Sequence, residues 1–375
     1  MTVGLGMYDA PMPSAPRAGD LIGRRYQLIE LAGHGGMADV WRADVVGDLG
    51  FRRPIAIKQM HPGLADQPLY VQMFVEEARL GGSLESPNLA EIRDFVFENG
   101  NYFIVMEWIE GLDLGTWIRW HSHRGEGARW ELAAAIGVGV LRALAACHER
   151  VGADGQPCPV VHRDVSPHNI MITTRGLVKL IDLGLAMATD RQTETTEPGV
   201  VKGKMSYLSP EIVSGVRPQP PADQFAVGSV LWETLVGRKL FDGQTDYETY
   251  VRLRDCQVQP LKAYRPDVPA DIIHLINRAL SAKPEDRYPT AREFARQIGT
   301  VLKRVQLRRD LHATLAKTVN DARASLGMAY RTDDVSALTP VAELRPDAAA
   351  PAAFGEKLRG LRHRLPTFFG GRKKA

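Results

Sequence analysis

Alternation of apolar and polar residues in the first third of the chain predicts a series of short β-strands. Strand patterns cover Tyr26–Leu31, Ala38–Asp44 and Pro54–Met60, and a helical pattern follows over Tyr70–Leu84. Two further apolar runs flank Asn99-Gly100, a dipeptide that favours the tight turn of a β-hairpin. The first third is therefore expected to be rich in strands, with one helix.

After Gly111 the apolar residues recur at intervals of three and four, which is typical of helices. The predicted helices cover Trp130–His148, Asp223–Val236, Tyr247–Leu253, Ala270–Ser281 and Ala291–Lys303. A strand-rich segment followed by a helix-rich segment predicts an α+β protein of two lobes with a cleft between them. Clefts of this kind are frequent small-molecule sites.

The ends of the chain have a different composition. Residues 1–19 are rich in Pro, Gly and Ala and predict a disordered leader. Apolar residues from Val305 to Leu326 form the stripe of an amphipathic helix, placed at residues 303–330, which either docks on the helix-rich lobe or meets a partner. Residues 331–375 predict an Ala/Pro-rich linker and a basic tail.

Composition narrows the class of protein. The chain has 375 residues, of which 44% are hydrophobic and 24% charged, as in globular proteins. We find no apolar run long enough for a transmembrane helix and no pattern of a signal peptide. Three cysteines are too few for a disulfide framework, so we expect a cytoplasmic protein.

Charge is distributed unevenly. Residues 356–375 contain seven Lys or Arg and one acid, although the net charge of the whole chain is only +3. The basic tail could be solvated or could touch an anionic surface. No nucleic-acid partner is expected, and no oligomeric state is predicted.

A glycine-rich loop lies between the first two main predicted strands. Gly33, Gly35 and Gly36 would let backbone N–H groups approach a polyphosphate without a Cβ atom in the way. Because the loop joins two strands, it is neither a P-loop nor a Rossmann turn, both of which lead into a helix. Taken alone, such a loop is equally compatible with a tight turn.

Lys58 lies among apolar residues on a predicted strand. A buried ammonium needs a partner, and Glu77 on the following helix is the natural one. Without other evidence, Lys58 could equally be a surface lysine on an edge strand.

A second set of polar residues lies within apolar sequence in the helix-rich half. Asp164 can accept a proton from an attacking hydroxyl. Asn169 and Asp182 offer the hard oxygen atoms that Mg²⁺ prefers. Phosphoryl transfer requires mainly positioning and neutralisation of charge, and these groups supply both.

Together these motifs resemble the eukaryotic-type protein kinase family, and they are most similar to bacterial serine/threonine protein kinases. The resemblance rests on the glycine loop, Lys58, His162-Arg163-Asp164, Asp182-Leu183-Gly184, Ser209-Pro210-Glu211, Asp223 and Arg287, which occur in that order. It covers Tyr26 to Leu302. The implied fold is the bilobal protein kinase fold, in a domain of residues 20–302 with a β-rich N-lobe (20–110) and a helical C-lobe (111–302).

The resemblance implies a role for each matching residue. Lys58, paired with Glu77, would hold the phosphates of ATP, Asp164 would be the catalytic base, and Asn169 and Asp182 would bind Mg²⁺, with Mn²⁺ as an alternative. The glycines would approach the phosphates, and the adenine ring would lie between Ile29, Leu31, Val40 and Ala56, with Met106 as the gatekeeper. The backbones of Glu107 and Ile109 would bond the adenine, and Asp113 would reach the ribose. Glu211 and Arg287 would form a structural ion pair, and Asp223 is also expected to be structural.

One departure from the family pattern affects the expected chemistry. Ser166 stands where serine/threonine kinases usually have a lysine that contacts the γ-phosphate, which raises the alternative of a pseudokinase. Lys204 stands where the family usually has threonine, so we hypothesise that Lys204 restores the lost charge. A lysine that faces substrate or solvent is the alternative.

Regulation is expected in the segment that follows Asp182. Arg163 directly before Asp164 is typical of kinases whose activation segment is phosphorylated. Candidate acceptors are Thr196, then Thr195 and Thr193. We therefore expect a serine/threonine protein kinase that phosphorylates itself and protein substrates. A pseudokinase scaffold ranks second, and a small-molecule phosphotransferase ranks third because it would typically lack the Ser-Pro-Glu element.

Overall fold

Six strands in the first part of the chain form one antiparallel sheet in the order β1-β2-β3-β4-β6-β5. The strands are β1 (Leu21–Ile22), β2 (Tyr26–His34), β3 (Ala38–Val46), β4 (Arg52–Met60), β5 (Ile92–Glu98) and β6 (Asn101–Glu107). The structure is a computed structural model and describes residues 16–184, 205–305 and 310–328. Helices α1 (Pro62–Ala65) and α2 (Pro68–Gly81) follow β4 in the chain.

The sheet and most of α2 belong to a first compact unit, made of residues 16–78 and 92–108. Its sheet has a core of fully buried apolar residues, among them Leu28, Ile55 and Phe103. The predicted hairpin is confirmed: β5 and β6 are joined at Asn99 (φ 49°) and Gly100 (φ 78°). Positive φ angles at both positions explain why this dipeptide favours the turn.

The second unit contains residues 79–91 and the described residues from 109 onward. A small sheet has the order β7-β8-β9, with β7 (Gly111–Asp113), β8 (Ile170–Thr173) and β9 (Val178–Leu180). Its helices are α3 (Leu114–His123), α4 (Trp130–His148), α5 (Pro210–Val213), α6 (Pro220–Val236), α7 (Asp246–Arg254), α8 (Leu261–Tyr264), α9 (Ala270–Ala279), α10 (Ala291–Val305) and α11 (Leu311–Ser325). The expected change from strands to helices is therefore confirmed.

Helices α4 and α6 lie at the centre of this unit. Thirteen of the 17 residues of α6 are buried, including Asp223 and Glu233. Among the described residues, α4 is the one helix with the length and apolar composition to cross a membrane, and 72% of its apolar window is buried within the protein. A buried core helix has the same composition, so this helix is weak evidence for a membrane span.

The ends of several predicted segments differ from the structure. Helix α6 starts at Pro220 rather than Asp223, and α2 starts at Pro68 rather than Tyr70, because proline suits the first turn of a helix. At the N-terminus, the N–H of Gly19 donates to the carbonyl oxygen of Leu28 at 2.8 Å. Regular contacts therefore begin before the predicted end of the leader at residue 19.

The stripe predicted as one helix over residues 303–330 is also divided differently. Helix α10 continues to Val305, and a separate helix begins at Leu311. Asp310 caps the second helix by accepting hydrogen bonds from the N–H groups of His312 and Ala313. The buried face of α11 packs within the second unit, as expected for docking in cis.

Candidate active site

The glycine loop connects β2 and β3 in the first unit. The N–H of Gly35 donates to the carbonyl oxygen of Ala38 at 3.0 Å, which closes the turn. A Cβ atom on Gly33 or Gly36 would meet no atom of the described residues within 4 Å, so these residues leave open space at both positions. The loop therefore has the room for a phosphate group that its sequence predicts.

Two histidines share one carboxylate beside this loop. The Oδ1 atom of Asp39 lies 3.0 Å from Nδ1 of His34 and 3.1 Å from Nε2 of His61. Although burial opposes the change, these hydrogen bonds lower the pKa of Asp39 below its ordinary value. The carboxylate of Asp39 is thus ionised and held by neighbouring imidazoles.

Lys58 lies on β4, in the middle strand of three, between Val40 of β3 and Ile104 of β6. Its Nζ atom donates to Oε1 of Glu77 on α2 at 2.6 Å, and the two side chains are only 15% and 13% exposed. The structure thus contains the predicted pair. The alternative of a surface lysine on an edge strand is wrong.

The register of the sheet divides the predicted adenine-binding residues. Val40 lies opposite Lys58, and Ala56 lies opposite Met106, so these four side chains share one face. Leu31 lies opposite Trp41, the neighbour of Val40, and therefore faces the other side of the sheet. The sequence pattern missed this separation because β2 has register shifts between Leu28 and Glu30, beside Ile29, and between Leu31 and Gly33.

Glu107 ends β6 opposite Ile55 in the first unit, whereas Ile109 and Asp113 belong to the second unit. Asp113 caps α3: its Oδ1 accepts from the N–H of Thr116 at 2.9 Å and lies 3.3 Å from Nδ1 of His168. Burial opposes ionisation, but these partners lower the pKa of Asp113. Any ribose contact by Asp113 would share the carboxylate with these existing bonds.

Asp164 and Asn169 are hydrogen-bonded to each other within residues 162–169, the catalytic loop. The amide nitrogen of Asn169 donates to the backbone oxygen and to Oδ2 of Asp164, both at 2.8 Å. Because the amide nitrogen is used twice, the side chain has one defined orientation and its oxygen lies on the other side of the amide group. The two side chains are therefore held in one defined arrangement.

Asp182 is brought next to this loop by backbone contacts. The N–H of Ile181 donates to the backbone oxygen of Asn169 at 2.9 Å, and the N–H of Gly184 donates to the backbone oxygen of His162 at 2.9 Å. A Cβ atom on Gly184 would lie only 2.6 Å from Cβ of Asp164, so only glycine permits this approach. Asp182 itself has a left-handed backbone, with φ of 54°.

These positions fit a divalent cation in chemical terms. The carboxylate of Asp182 and the amide oxygen of Asn169 are hard oxygen donors, and Mg²⁺ commonly takes one or two protein ligands and completes its shell with water and phosphate. The described part of the chain contains no cluster of three or more His, Cys, Asp or Glu that could hold a metal by itself. A site shared with a nucleotide agrees with this limited donor set.

Asp223 holds the backbone at the start of the catalytic loop. Its carboxylate is buried and accepts from the backbone N–H of His162 at 2.8 Å and of Arg163 at 2.9 Å. Nε2 of His148 is a third partner, at 2.7 Å. Burial opposes ionisation, but His148 and the other partners lower the pKa of Asp223, which stays charged.

Arg287 and Glu211 form a bidentate ion pair, with both N···O distances at 2.7 Å. The arginine side chain is fully buried and also donates to the backbone oxygens of Pro221, Ser281 and Ala282. Such a network links α5, which contains Glu211, to the segment before α10, which contains Arg287. Its position supports the structural role expected for the pair.

Several predicted residues lie outside the described part of the chain. These are Lys204 and the candidate phosphorylation sites Thr193, Thr195 and Thr196. The described residue Ser166 is buried, and its backbone oxygen accepts from the N–H of Asn169 at 3.0 Å.

Comparison with known families agrees with this geometry. The family described as "Protein kinase domain" matches residues 26–297. The chain belongs to the protein kinase family. Both the resemblance and the predicted protein kinase fold are confirmed.

Two characterised kinases illustrate the similarity. Tyrosine-protein kinase MasK of Myxococcus xanthus is 37% identical over 277 residues, which cover 74% of this chain and 43% of that protein. Serine/threonine-protein kinase PrkC of Bacillus subtilis is 33% identical over 284 residues, covering 75% and 41%. The chain thus spans less than half the length of these curated relatives.

Among solved structures, the kinase domain of PknI from Mycobacterium tuberculosis superimposes with a TM-score of 0.57 at 24% identity. The match covers 76% of this chain and 99% of that domain. At this identity the likeness concerns the fold alone.

Sequence reasoning missed two contacts of the site. His148 holds Asp223 across 75 residues of sequence, and His168 pairs with Asp113. Neither histidine lies in a position whose neighbours in sequence signal a polar partner. Only the packing of α4 against α6 brings His148 to Asp223.

Proposed function

We propose that this chain is a protein kinase that transfers the γ-phosphoryl group of ATP to a serine or threonine hydroxyl of a protein. The observation that carries the proposal is the joint placement of Asp164, Asn169 and Asp182 in the second unit. Hydrogen bonds join Asn169 to Asp164, and backbone contacts of Ile181 and Gly184 bring the segment that contains Asp182 next to them.

Asp164 acts as the base in this proposal. Its carboxylate orients the substrate hydroxyl and accepts the proton as the oxygen bonds to the γ-phosphorus. The bond from the γ-phosphorus to the bridging oxygen breaks, and ADP leaves with that oxygen. Asp223 holds the backbone on both sides of His162 and so keeps the base in place.

Asn169 and Asp182 would hold Mg²⁺, which supplies positive charge at the phosphates. Lys58 would contact the α- and β-phosphates, and Glu77 keeps its ammonium oriented. The glycine loop would cover the phosphates with backbone N–H groups. Val40, Ala56 and Met106 share a face with Lys58, which supports an adenine contact, whereas the register does not support one for Leu31.

Ser166 makes a pseudokinase the second candidate. A missing cation at the transferred phosphate could cost a few kcal/mol of transition-state stabilisation. We propose that Lys204 supplies this charge. Replacement of Lys204 by alanine should then lower turnover at least tenfold, and an unchanged rate would contradict this role.

Self-phosphorylation of Thr196, or else of Thr195 or Thr193, would provide a phosphate that pairs with Arg163. Burial lowers the pKa of this arginine, and Nε of Arg163 has no hydrogen-bond partner within the described ranges. An incoming phosphate would satisfy it. Mass spectrometry after incubation with ATP and Mg²⁺ tests this, and absence of phosphate between residues 185 and 202 would refute it.

The direct test of the proposed function measures transfer of radiolabelled phosphate from γ-labelled ATP to a generic basic protein. We expect transfer by the wild-type chain and about a hundredfold less by Asp164→Asn, which keeps the size of the side chain but removes the base. Equal transfer by both proteins, or none by either, would contradict the proposal and in the latter case favour the pseudokinase.

The same reaction determines which hydroxyl is used. One relative is named a tyrosine-protein kinase and another a serine/threonine-protein kinase. Acid hydrolysis of the product should release phosphoserine or phosphothreonine. Phosphotyrosine alone would overturn the serine/threonine assignment without affecting the kinase assignment. A cytoplasmic location, tested by fractionation of cells, is part of the same proposal.

A further inference from the structure

Helix α11 is packed within the second unit along its whole apolar face. Leu311, Leu315, Val319 and Ala322 are almost completely buried and belong to the core of this unit. The helix contacts β7, β8, α3 and α4. It lies outside the matched family region, which ends at residue 297.

Helix α11 lies against the turn between β8 and β9. Nδ1 of His312 lies 3.2 Å from the backbone oxygen of Gly176, and the amide of Asn320 donates to the oxygen of Thr174 at 3.1 Å. A Cβ atom on Gly176 would lie 2.1 Å from the backbone oxygen of His312. The turn and the helix backbone are therefore in direct contact.

Helix α3 makes polar contacts with the second half of α11. Nε1 of Trp117 donates to Oγ1 of Thr318 at 3.1 Å, and Nε1 of Trp120 donates to Oγ of Ser325 at 2.7 Å. Both indole N–H groups thus have their partners on one helix. These contacts determine how α11 is seated on α3.

Arg323 reaches from α11 to the segment that precedes α3. It is only 7% exposed, and its NH1 group donates to the backbone oxygen of Gly111 at 2.8 Å. Its NH2 group bonds the carboxylate of Glu110. The backbone oxygen of Glu110 accepts from the N–H of Thr174 at 2.9 Å, so this short segment is held from two directions.

Glu110 and Gly111 follow directly after Ile109, whose backbone is expected to bond the adenine from the resemblance to protein kinases. They precede Asp113, which caps α3 and is the proposed ribose contact. A Cβ atom on Gly111 would lie 2.1 Å from the backbone oxygen of Ile172, so the segment also lies tightly against β8. A buried guanidinium at this point can set the path of the chain between the two nucleotide contacts.

We propose that α11 positions the nucleotide-binding segment, with Arg323 as the positioning residue that holds Glu110 and Gly111. The inference rests on the proposed function because the ligand is ATP. It assigns to a helix beyond the family region a role in nucleotide affinity. Arg323 itself touches neither ATP nor the reacting atoms.

The test compares Arg323→Ala and Arg323→Lys with the wild-type full chain. Alanine removes both hydrogen bonds, so the Kd and the KM for ATP should rise at least fivefold, while kcat stays within twofold. Lysine keeps a cation that can donate to one of the two acceptors and should recover part of the affinity. Hydrogen exchange at residues 110–116 should be faster in Arg323→Ala.

Lys317→Ala is the matched control on the same helix. Lys317 is 74% exposed and pairs with Asp321 on α11, so its loss should leave ATP affinity unchanged. Should Arg323→Ala fail to fold, Glu110→Gln removes the charge of the acceptor and keeps the bond to Gly111. This variant should raise the Kd for ATP at least twofold.

A lower melting temperature in Arg323→Ala with unchanged ATP affinity would contradict the inference, because it would show a structural role only. Failure of the wild-type chain to bind ATP is a different outcome. That result would overturn the proposed function and the inference together.

Discussion

Lys58 and Glu77 show how burial changes the consequences of losing one charge. Their contact distance of 2.6 Å also occurs between Lys317 and Asp321, but the exposed fractions are 15% and 13% in the first pair and 74% and 50% in the second. Water replaces a lost partner readily only in the second pair. The free energy of one ion pair therefore depends on its surroundings more than on its distance.

We expect Glu77→Gln to lower the free energy of unfolding by about 2–3 kcal/mol, because the ammonium of Lys58 stays largely buried without this carboxylate. Asp321→Asn should cost at most about 0.5 kcal/mol. Urea denaturation of both variants measures the difference. Equal losses would show that burial of the first pair has no energetic effect.

The pair of Glu211 and Arg287 should make stability depend on pH. Burial would raise the pKa of Glu211, but the hydrogen bonds and charge of Arg287 outweigh it, so the folded pKa lies below the ordinary value of 4.5. A carboxylate with a lowered pKa contributes stability above its unfolded pKa, and the contribution is lost as the pH falls through the folded pKa.

Glu211→Gln should therefore melt well below the wild type at pH 7, and the gap should narrow as the pH falls below 4.5. Thermal unfolding followed by circular dichroism from pH 7 to pH 3 gives the comparison. A gap that stays constant over this range would mean that the charge of Glu211 contributes nothing.

Sequence reasoning identified the pairs Lys58–Glu77 and Glu211–Arg287. It missed contacts in which the neighbouring sequence of neither residue indicates that the side chain is buried. Lys58 interrupts an apolar strand and so demands a counter-ion. Arg323 lies in a helix with many polar neighbours, where nothing distinguishes it from a solvated arginine. Its burial against Gly111 depends on the docking of α11, which links positions 212 residues apart.

At the scale of elements, two glycines differ in whether the backbone conformation requires glycine. Gly100 has φ of 78° in the hairpin turn, whereas Gly299 lies inside α10, where an added Cβ atom would meet nothing within 4 Å. A left-handed conformation penalises alanine, whereas a helix interior favours it over glycine.

We expect Gly100→Ala to destabilise the protein by about 1 kcal/mol and Gly299→Ala to stabilise it by about 0.5–1 kcal/mol. Both variants add the same methyl group, but their effects on the free energy of unfolding should have opposite signs. Urea denaturation measures both. A stabilised Gly100→Ala would contradict the turn geometry described for the hairpin.

Helix ends were predicted correctly where the apolar periodicity stops at the end of the helix and were misplaced where it continues past a capping residue. Trp130–His148 was predicted with its observed ends because the apolar periodicity begins and stops there. The start at Leu311 was missed, although Asp310 is a good capping residue, because the apolar stripe continues through it. Periodicity shows which face is buried but not whether the helix is continuous.

At the scale of the whole molecule, the order of the motifs was sufficient to predict the family and the fold. Seven short motifs in one order constrain the chain far more strongly than any one of them. The face of Leu31 and the partners of Asp223 were not predictable from that order, because both depend on packing. These features follow from contacts between elements rather than from patterns within one element.

The central proposal is that Lys58 binds ATP and that Asn169 and Asp182 hold the Mg²⁺ of the nucleotide. Isothermal titration of the full chain with ATP, with and without Mg²⁺, tests it most directly. We expect saturable binding of one ATP that Mg²⁺ strengthens, at least tenfold weaker binding by Lys58→Ala, and loss of the Mg²⁺ effect in Asp182→Asn. Absence of binding, or binding that neither substitution changes, would contradict the account.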